Sequence, residues 1–109
     1  MTKEEAQNIS FQIIGYAGDA LSDFVEAVAQ AKKGNGEEAQ KLMQAGKEQL
    51  TKAHKSQTDL LVAEANNEEL PFSIILVHAQ DHIMNAILYE NIAKDFIELY
   101  LERSSNNEK

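Results

Sequence analysis

The sequence predicts an all-α fold, an antiparallel three-helix bundle, and three observations carry that prediction. The chain of 109 residues is 43% hydrophobic but only 6% aromatic, with one proline and five glycines, so it reads as Ala/Leu/Ile-rich helix. Only two stretches interrupt it, Gly34-Asn35-Gly36 and Asn66-Asn67-Glu68-Glu69-Leu70-Pro71. The segments between the breaks, about 30 residues each, are too long for loops and carry apolar residues at helical steps of three and four. The length predicts a single domain over residues 1–109. Such a domain has a thin core of its own and gains from packing against copies of itself.

The first helix opens at Thr2-Lys3-Glu4-Glu5, a capping box in which Thr2 caps and Glu5 reaches back. Its buried face is expected along Ile9, Ile13, Ala17, Ala20, Phe24, Ala27/Val28 and Ala31. Gly15 and Gly18 each weaken a helix by roughly 1 kcal/mol against alanine, and close helix–helix approach is the expected reason for them. The second helix starts at Asn35 as N-cap, with Glu37 and Glu38 in the dipole-complementing first turn. Its face runs through Ala39, Leu42/Met43, Gly46, Leu50, Ala53, Gln57, Leu60/Leu61 and Glu64. The third helix is expected to begin with Pro71 in its first turn and to run through Ile74, Ile75, Leu88, Ile92, Phe96 and Leu99 to about Leu101. The polar stretch 102–109 is expected to fray. Met43 and Met84 are expected to fill gaps in the core.

Charge excludes several functions. The sequence has 10 Lys+Arg against 18 Asp+Glu, a formal net charge of −8. A chain this acidic is a poor partner for nucleic acid, whose binding rests on cations that neutralise phosphates. The absence of cysteine removes disulfides, a thiol nucleophile and thiolate metal sites. No apolar run exceeds four residues, Ile74 to Val77 being one, so no segment is expected to enter a membrane. Met1-Thr2-Lys3-Glu4-Glu5 has neither an apolar core nor a cleavage pattern, so no signal peptide is expected and the cytoplasm is the default compartment.

The chemistry concentrates in Val77-His78-Ala79-Gln80-Asp81-His82-Ile83-Met84, which holds two of the three histidines. On a helix His78, Asp81 and His82 share one face. Continuing the 4-3-4-3 step gives Ile74, His78, Asp81, Asn85, Leu88, Ile92, Asp95 and Leu99, a heptad-like seam that is polar at its centre, with Phe96 drifting toward the place of Asp95. Polar groups in an apolar seam are costly without partners, so this cluster reads as a functional site. A zinc hydrolase would need Glu directly after the first histidine and a third ligand. Ala79 stands there instead and no histidine follows His82, so that reading is weak. In a seam shared by several chains, Asp81 from each copy would converge, and such carboxylates repel unless protonated or bound to a hard cation such as Mg²⁺. Nucleophilic catalysis is the remaining option, because a neutral imidazole nitrogen can accept a phosphoryl group and pass it on. No P-loop or kinase signature is present, so the phosphoryl group would come from another protein. A structural or regulatory trimer whose His/Asp seam only fixes the oligomer or binds metal is the competing reading.

These residues are specific enough to name a resemblance. The chain resembles the lactose/cellobiose-type enzyme IIA of the bacterial sugar phosphotransferase system, which includes the N,N′-diacetylchitobiose IIA proteins. The likeness lies in Ile9-Ser10-Phe11-Gln12-Ile13-Ile14 with Gly18 following, Ala53-His54-Lys55-Ser56-Gln57-Thr58, Leu76 to Met84, and Phe96-Ile97-Glu98-Leu99-Tyr100. It departs conservatively at Ile83, where the family usually has Leu. The resemblance implies a homotrimer, a nine-helix bundle. It implies that His78 is transiently phosphorylated at Nε2 by the histidine-containing phosphocarrier protein, with His82 near the phosphoryl group. It also implies a IIB cysteine as acceptor, a membrane IIC component downstream, and Asp81 of three subunits as metal ligands on the trimer axis. The sugar class it implies is a β-linked disaccharide of the lactose, cellobiose or chitobiose kind. Gln80 faces roughly away from His78, and His54, beside Lys52 and Lys55, reads as a solvated helix residue.

Overall fold

The computed structural model describes residues 1–107, and their architecture is the expected one. Helix α1 spans Lys3–Lys32, α2 spans Gly36–Ala65 and α3 spans Ile74–Asn107. They lie side by side in an up-down-up rod of 61 × 19 × 19 Å. Helix α1 packs along both of the others, whereas α2 and α3 touch each other far less.

Local signals set most boundaries. The Thr2 hydroxyl accepts from the Glu5 amide at 3.1 Å and the Thr2 amide reaches the Glu5 carboxylate at 3.4 Å, completing the capping box. Asn35 occupies the N-cap position of α2, but its side-chain amide donates to Gln30 Oε1 at 2.8 Å and leaves the helix end uncapped. Asn67 adopts the left-handed conformation at φ 63°, which asparagine tolerates, and there the chain leaves α2. Helix α3 does not start at Pro71. Its cap is Ser73, whose hydroxyl accepts from the Leu76 amide at 3.1 Å. Satisfying an orphan amide favours serine over a proline two residues earlier, which lacks that acceptor.

The far end of α3 also differs from expectation. The helix runs on past Leu101 to Asn107, because its last turns rest on the α1–α2 corner. A Cβ on Gly34 would lie 3.1 Å from Ser104 Oγ, and one on Gly36 would lie 3.3 Å from Leu101 Cδ1. Of the stretch expected to fray, Glu108 and Lys109 lie outside the described residues.

The core is narrow and rich in alanine. Ile13, Phe24 and Ile83 are its largest fully buried apolar side chains, set among Ala17, Ala20, Ala27, Ala53, Ala79, Ala86 and Ala93. Each large side chain contributes roughly 1.5–3 kcal/mol by leaving water, while the alanines let the helix axes close up. The closest approach is at Gly46. A Cβ there would stand 2.5 Å from Phe24 Cε1 and 3.1 Å from the Ala20 carbonyl. Gly15 and Gly18, by contrast, face open space with nothing within 4 Å of an added Cβ, so they do not serve helix contact within the chain. On α2 the last turns bury Leu60 and Ala63, leaving Glu64 exposed.

Helix α3 is apolar on two opposite sides. One side buries Ala79, Ile83, Ala86, Ala93 and Ile97 against the bundle. The other exposes Ile74, Val77, Met84, Leu88, Ile92, Phe96 and Leu99, so Met84 belongs to this outer seam and not to the core. Met43 is buried as expected.

Candidate functional site

The site occupies the first turns of α3. With Ser73 as cap, His78 falls just beyond the first turn and His82 one turn later. Side chains on a helix tilt toward its N-terminus, so both rings lean back toward the 66–73 connection. That connection is tied to the start of α1, where the Met1 amine meets Glu68 Oε1 at 3.0 Å.

The i, i+4 spacing brings the two imidazoles into contact. Nε2 of His82 lies 3.0 Å from Nε2 of His78, with ring centroids 4.5 Å apart and planes inclined by 78°. For this contact to be a hydrogen bond between neutral rings one Nε2 must donate and the other accept, and the tautomers set which does which. His78 is the exposed member and His82 is half-buried. With the proton on His82 Nε2 the hydrogen bond occupies the one lone pair of His78 Nε2, and a rotation of either side chain frees that lone pair to act as a nucleophile.

Asp81 lies between the two histidines in sequence and projects into solvent from the seam. Among the described residues it forms no ion pair and no hydrogen bond to either imidazole, so it does not orient the rings. No group of three or more histidines and carboxylates that could hold a metal ion occurs among the described residues of one chain. At the level of the histidine pair a single chain offers one seam carboxylate, Asp81, the other, Asp95, lying about four turns further along α3.

Gln80 turns away from His78, as the helical geometry requires, and accepts from Gln57 Nε2 at 2.7 Å across the α2–α3 groove. A second polar link joins α2 to α1, where the Ser56 hydroxyl donates to Gln12 Oε1 at 3.3 Å. Neither link could be read from the sequence, because each joins residues far apart in the chain. His54 stands exposed on α2, where its carbonyl accepts from the Thr58 hydroxyl, and its ring is not brought to the histidine pair.

Residues 8–101 match the family model of the PTS system, Lactose/Cellobiose specific IIA subunit. The chain is 46% identical over 97 residues to the lichenan-specific phosphotransferase enzyme IIA component of Bacillus subtilis, covering 89% of this chain and 88% of that one. It is 40% identical over 104 residues to the lactose-specific EIIA component of Staphylococcus epidermidis, covering 95% of this chain and all of the relative. Among solved structures, the cellobiose-specific enzyme IIA of Bacillus anthracis superimposes with a TM-score of 0.90 at 42% identity, covering 96% of this chain and 94% of that one. The IIA(Chitobiose) component of Escherichia coli, solved in complex with HPr, superimposes with a TM-score of 0.78 at 30% identity, covering 91% and 96%. No described helix is long and apolar enough to cross a membrane. With the histidine block on the expected face of α3 and matches that span nearly the whole chain, the protein belongs to the lactose/cellobiose-specific IIA family of the phosphotransferase system.

Proposed function

We propose that the protein carries a phosphoryl group on His78 Nε2, between the histidine-containing phosphocarrier protein and a IIB cysteine. The observation that carries this reading is the 3.0 Å contact between the two Nε2 atoms, with His78 the exposed partner. In the first step the His78 Nε2 lone pair attacks the phosphorus of the donor's phosphohistidine. The new N–P bond forms as the donor's N–P bond breaks and returns its electron pair to the donor ring. His82 Nε2–H then points at the place where phosphoryl oxygens arrive and donates a charge-assisted hydrogen bond. In the second step a IIB thiolate attacks the same phosphorus, and the electron pair of the broken N–P bond returns to His78 Nε2. A likeness to an IIA structure solved with HPr supports the donor assignment. Relatives specific for lactose, cellobiose, chitobiose and lichenan support coupling to uptake of a β-linked disaccharide through a IIC component, in the cytoplasm.

The same reading includes a homotrimer. The outer seam of α3 exposes apolar side chains along most of its length, with Ile74 80% and Leu88 59% accessible. Three copies joined along it would bring three Asp81 carboxylates together. An all-oxygen set fits a hard divalent cation such as Mg²⁺, and one exposed carboxylate per chain is what that arrangement requires. Bound there, the ion would neutralise charge between subunits, and His78 and His82 would carry the transfer.

Phosphoenolpyruvate, the upstream kinase and the phosphocarrier protein test the assignment. The intact protein gains the mass of one phosphoryl group, and His78→Ala gains none. A His78→Ala protein that still took up the label would overturn it. If His78→Gln left both assembly and sugar uptake intact, the site would be structural only.

A further inference from the structure

At the opposite end of the rod, the last turn of α1 and the last turns of α3 enclose a cleft of about 310 Å³ lined by Lys32, Lys33, Gly34, Tyr100, Arg103 and Ser104. From His78 this is roughly 40 Å along α3 at 1.5 Å per residue. Three of the ten Lys and Arg residues of an acidic chain meet here, and among the described residues no carboxylate lines the cleft. Among the described residues none of the three forms an ion pair, the two pairs present being Met1–Glu68 and Lys41–Glu37.

Helix dipoles explain part of this charge. Each helix C-terminus carries about half a negative charge and each N-terminus about half a positive one; α1 and α3 end here and α2 begins at Gly36, so the three termini together offset about half of one of the three positive charges. More than two remain, enough to neutralise a phosphate group bearing roughly −1.5 to −2 near neutral pH. Tyr100 and Ser104, which also line the cleft, each carry a hydroxyl that can donate a hydrogen bond to an oxygen. The space also depends on a glycine. Gly34 has φ 86°, and a Cβ on it would come within 3.1 Å of Ser104 Oγ, narrowing the cleft at its floor.

We propose that this cleft binds a phosphate group, either as inorganic phosphate or as the head of a phosphomonoester, at a site separate from the histidine pair. Titrating the isotope-labelled protein with inorganic phosphate, and separately with a hexose monophosphate, distinguishes the two sources. The backbone amide resonances of Lys33 and Gly34 shift saturably with whichever ligand binds, and the tighter of the two titrations names the source. The Lys32→Ala/Arg103→Ala protein, altered only at exposed positions, binds about ten-fold more weakly or worse, because two charge-assisted contacts are lost. Shifts that grow linearly without saturation would mean ionic screening only and would overturn the proposal. So would an unchanged titration in the double variant. A changed sedimentation mass in that variant, with no phosphate binding by the parent, would show that the cations serve contact between copies instead. None of these readouts requires His78, so the site stands or falls apart from phosphoryl transfer.

Discussion

The two apolar sides of α3 have the same periodicity and opposite fates. The inner side, from Ala79 through Ile83 and Ala86 to Ile97, is closed by the chain's own helices and is almost entirely aliphatic. The outer side, from Ile74 through Leu88 to Leu99, is left uncovered and carries His78, Asp81 and Asn85 within it. The difference teaches where polar chemistry can sit in an apolar stripe. Polar groups on the inner side would need partners within the bundle, whereas those on the outer side reach solvent and whatever molecule approaches.

Substitutions that break the inner side should have the largest effect on folding. Ile83→Ala removes a fully buried side chain and is expected to cost about 3 kcal/mol in denaturant unfolding. Leu88→Ala on the outer side should leave that unfolding free energy within about 0.5 kcal/mol when measured on dilute protein, because the residue is exposed. Equal losses would erase the distinction between the two sides. Gly46→Ala comes next. Alanine favours helix by roughly 1 kcal/mol, but its methyl group meets Phe24 and the Ala20 carbonyl, so a net loss of about 2 kcal/mol in thermal unfolding is expected. The same change at Gly15 or Gly18, where nothing lies within 4 Å, should not destabilise the isolated bundle.

Chelation sharpens the comparison on the outer side. Stripping divalent cations is expected to weaken self-association of the parent about ten-fold and to leave Asp81→Leu unchanged, as read by sedimentation equilibrium. The smallest effect lies on α1. Burial, and then the charge of Asp19 one turn away, raise the Asp23 carboxyl above its usual range. Its ionised form therefore weighs against the fold. That cost is absent at acid pH, where the group is protonated in both states; it grows as the pH rises from the ordinary carboxyl value to the raised one and is fully present above that. Asp23→Asn should stabilise by no more than about 0.5 kcal/mol at neutral pH and not at acid pH, a difference measurable in paired melting curves.

The features legible in the sequence are those set within one turn of helix. Thr2 and Glu5 cap each other across three residues, and His78 meets His82 across four, so neither depends on distant parts of the chain. Where a residue had a choice of partners, sequence reasoning chose wrongly. Asn35 stands at the expected N-cap position, but its side chain reaches Gln30 and not the helix end. Pro71 suits a first turn, yet Ser73 caps α3. The packed glycine is Gly46 and not Gly15 or Gly18, because the outcome depends on where Phe24 of another helix falls. Helix α3 hid its inner face for a related reason. Two apolar stripes interleave on it, and the larger side chains of the outer one drew the periodicity to themselves. The cleft of Lys32, Lys33 and Arg103 joins residues about 70 positions apart and has no local signature at all.

The spacing of the histidine pair has a consequence for speed. Both rings hang from one helix a single turn apart, so the helical pitch fixes their separation and no hinge or lid has to assemble them. Exchanging a shared proton for a phosphoryl oxygen asks only for rotation about side-chain bonds. Such rotations take picoseconds to nanoseconds at exposed positions, far faster than domain closure. A carrier built this way adds no conformational delay of its own, and its throughput is governed by how often its partners arrive.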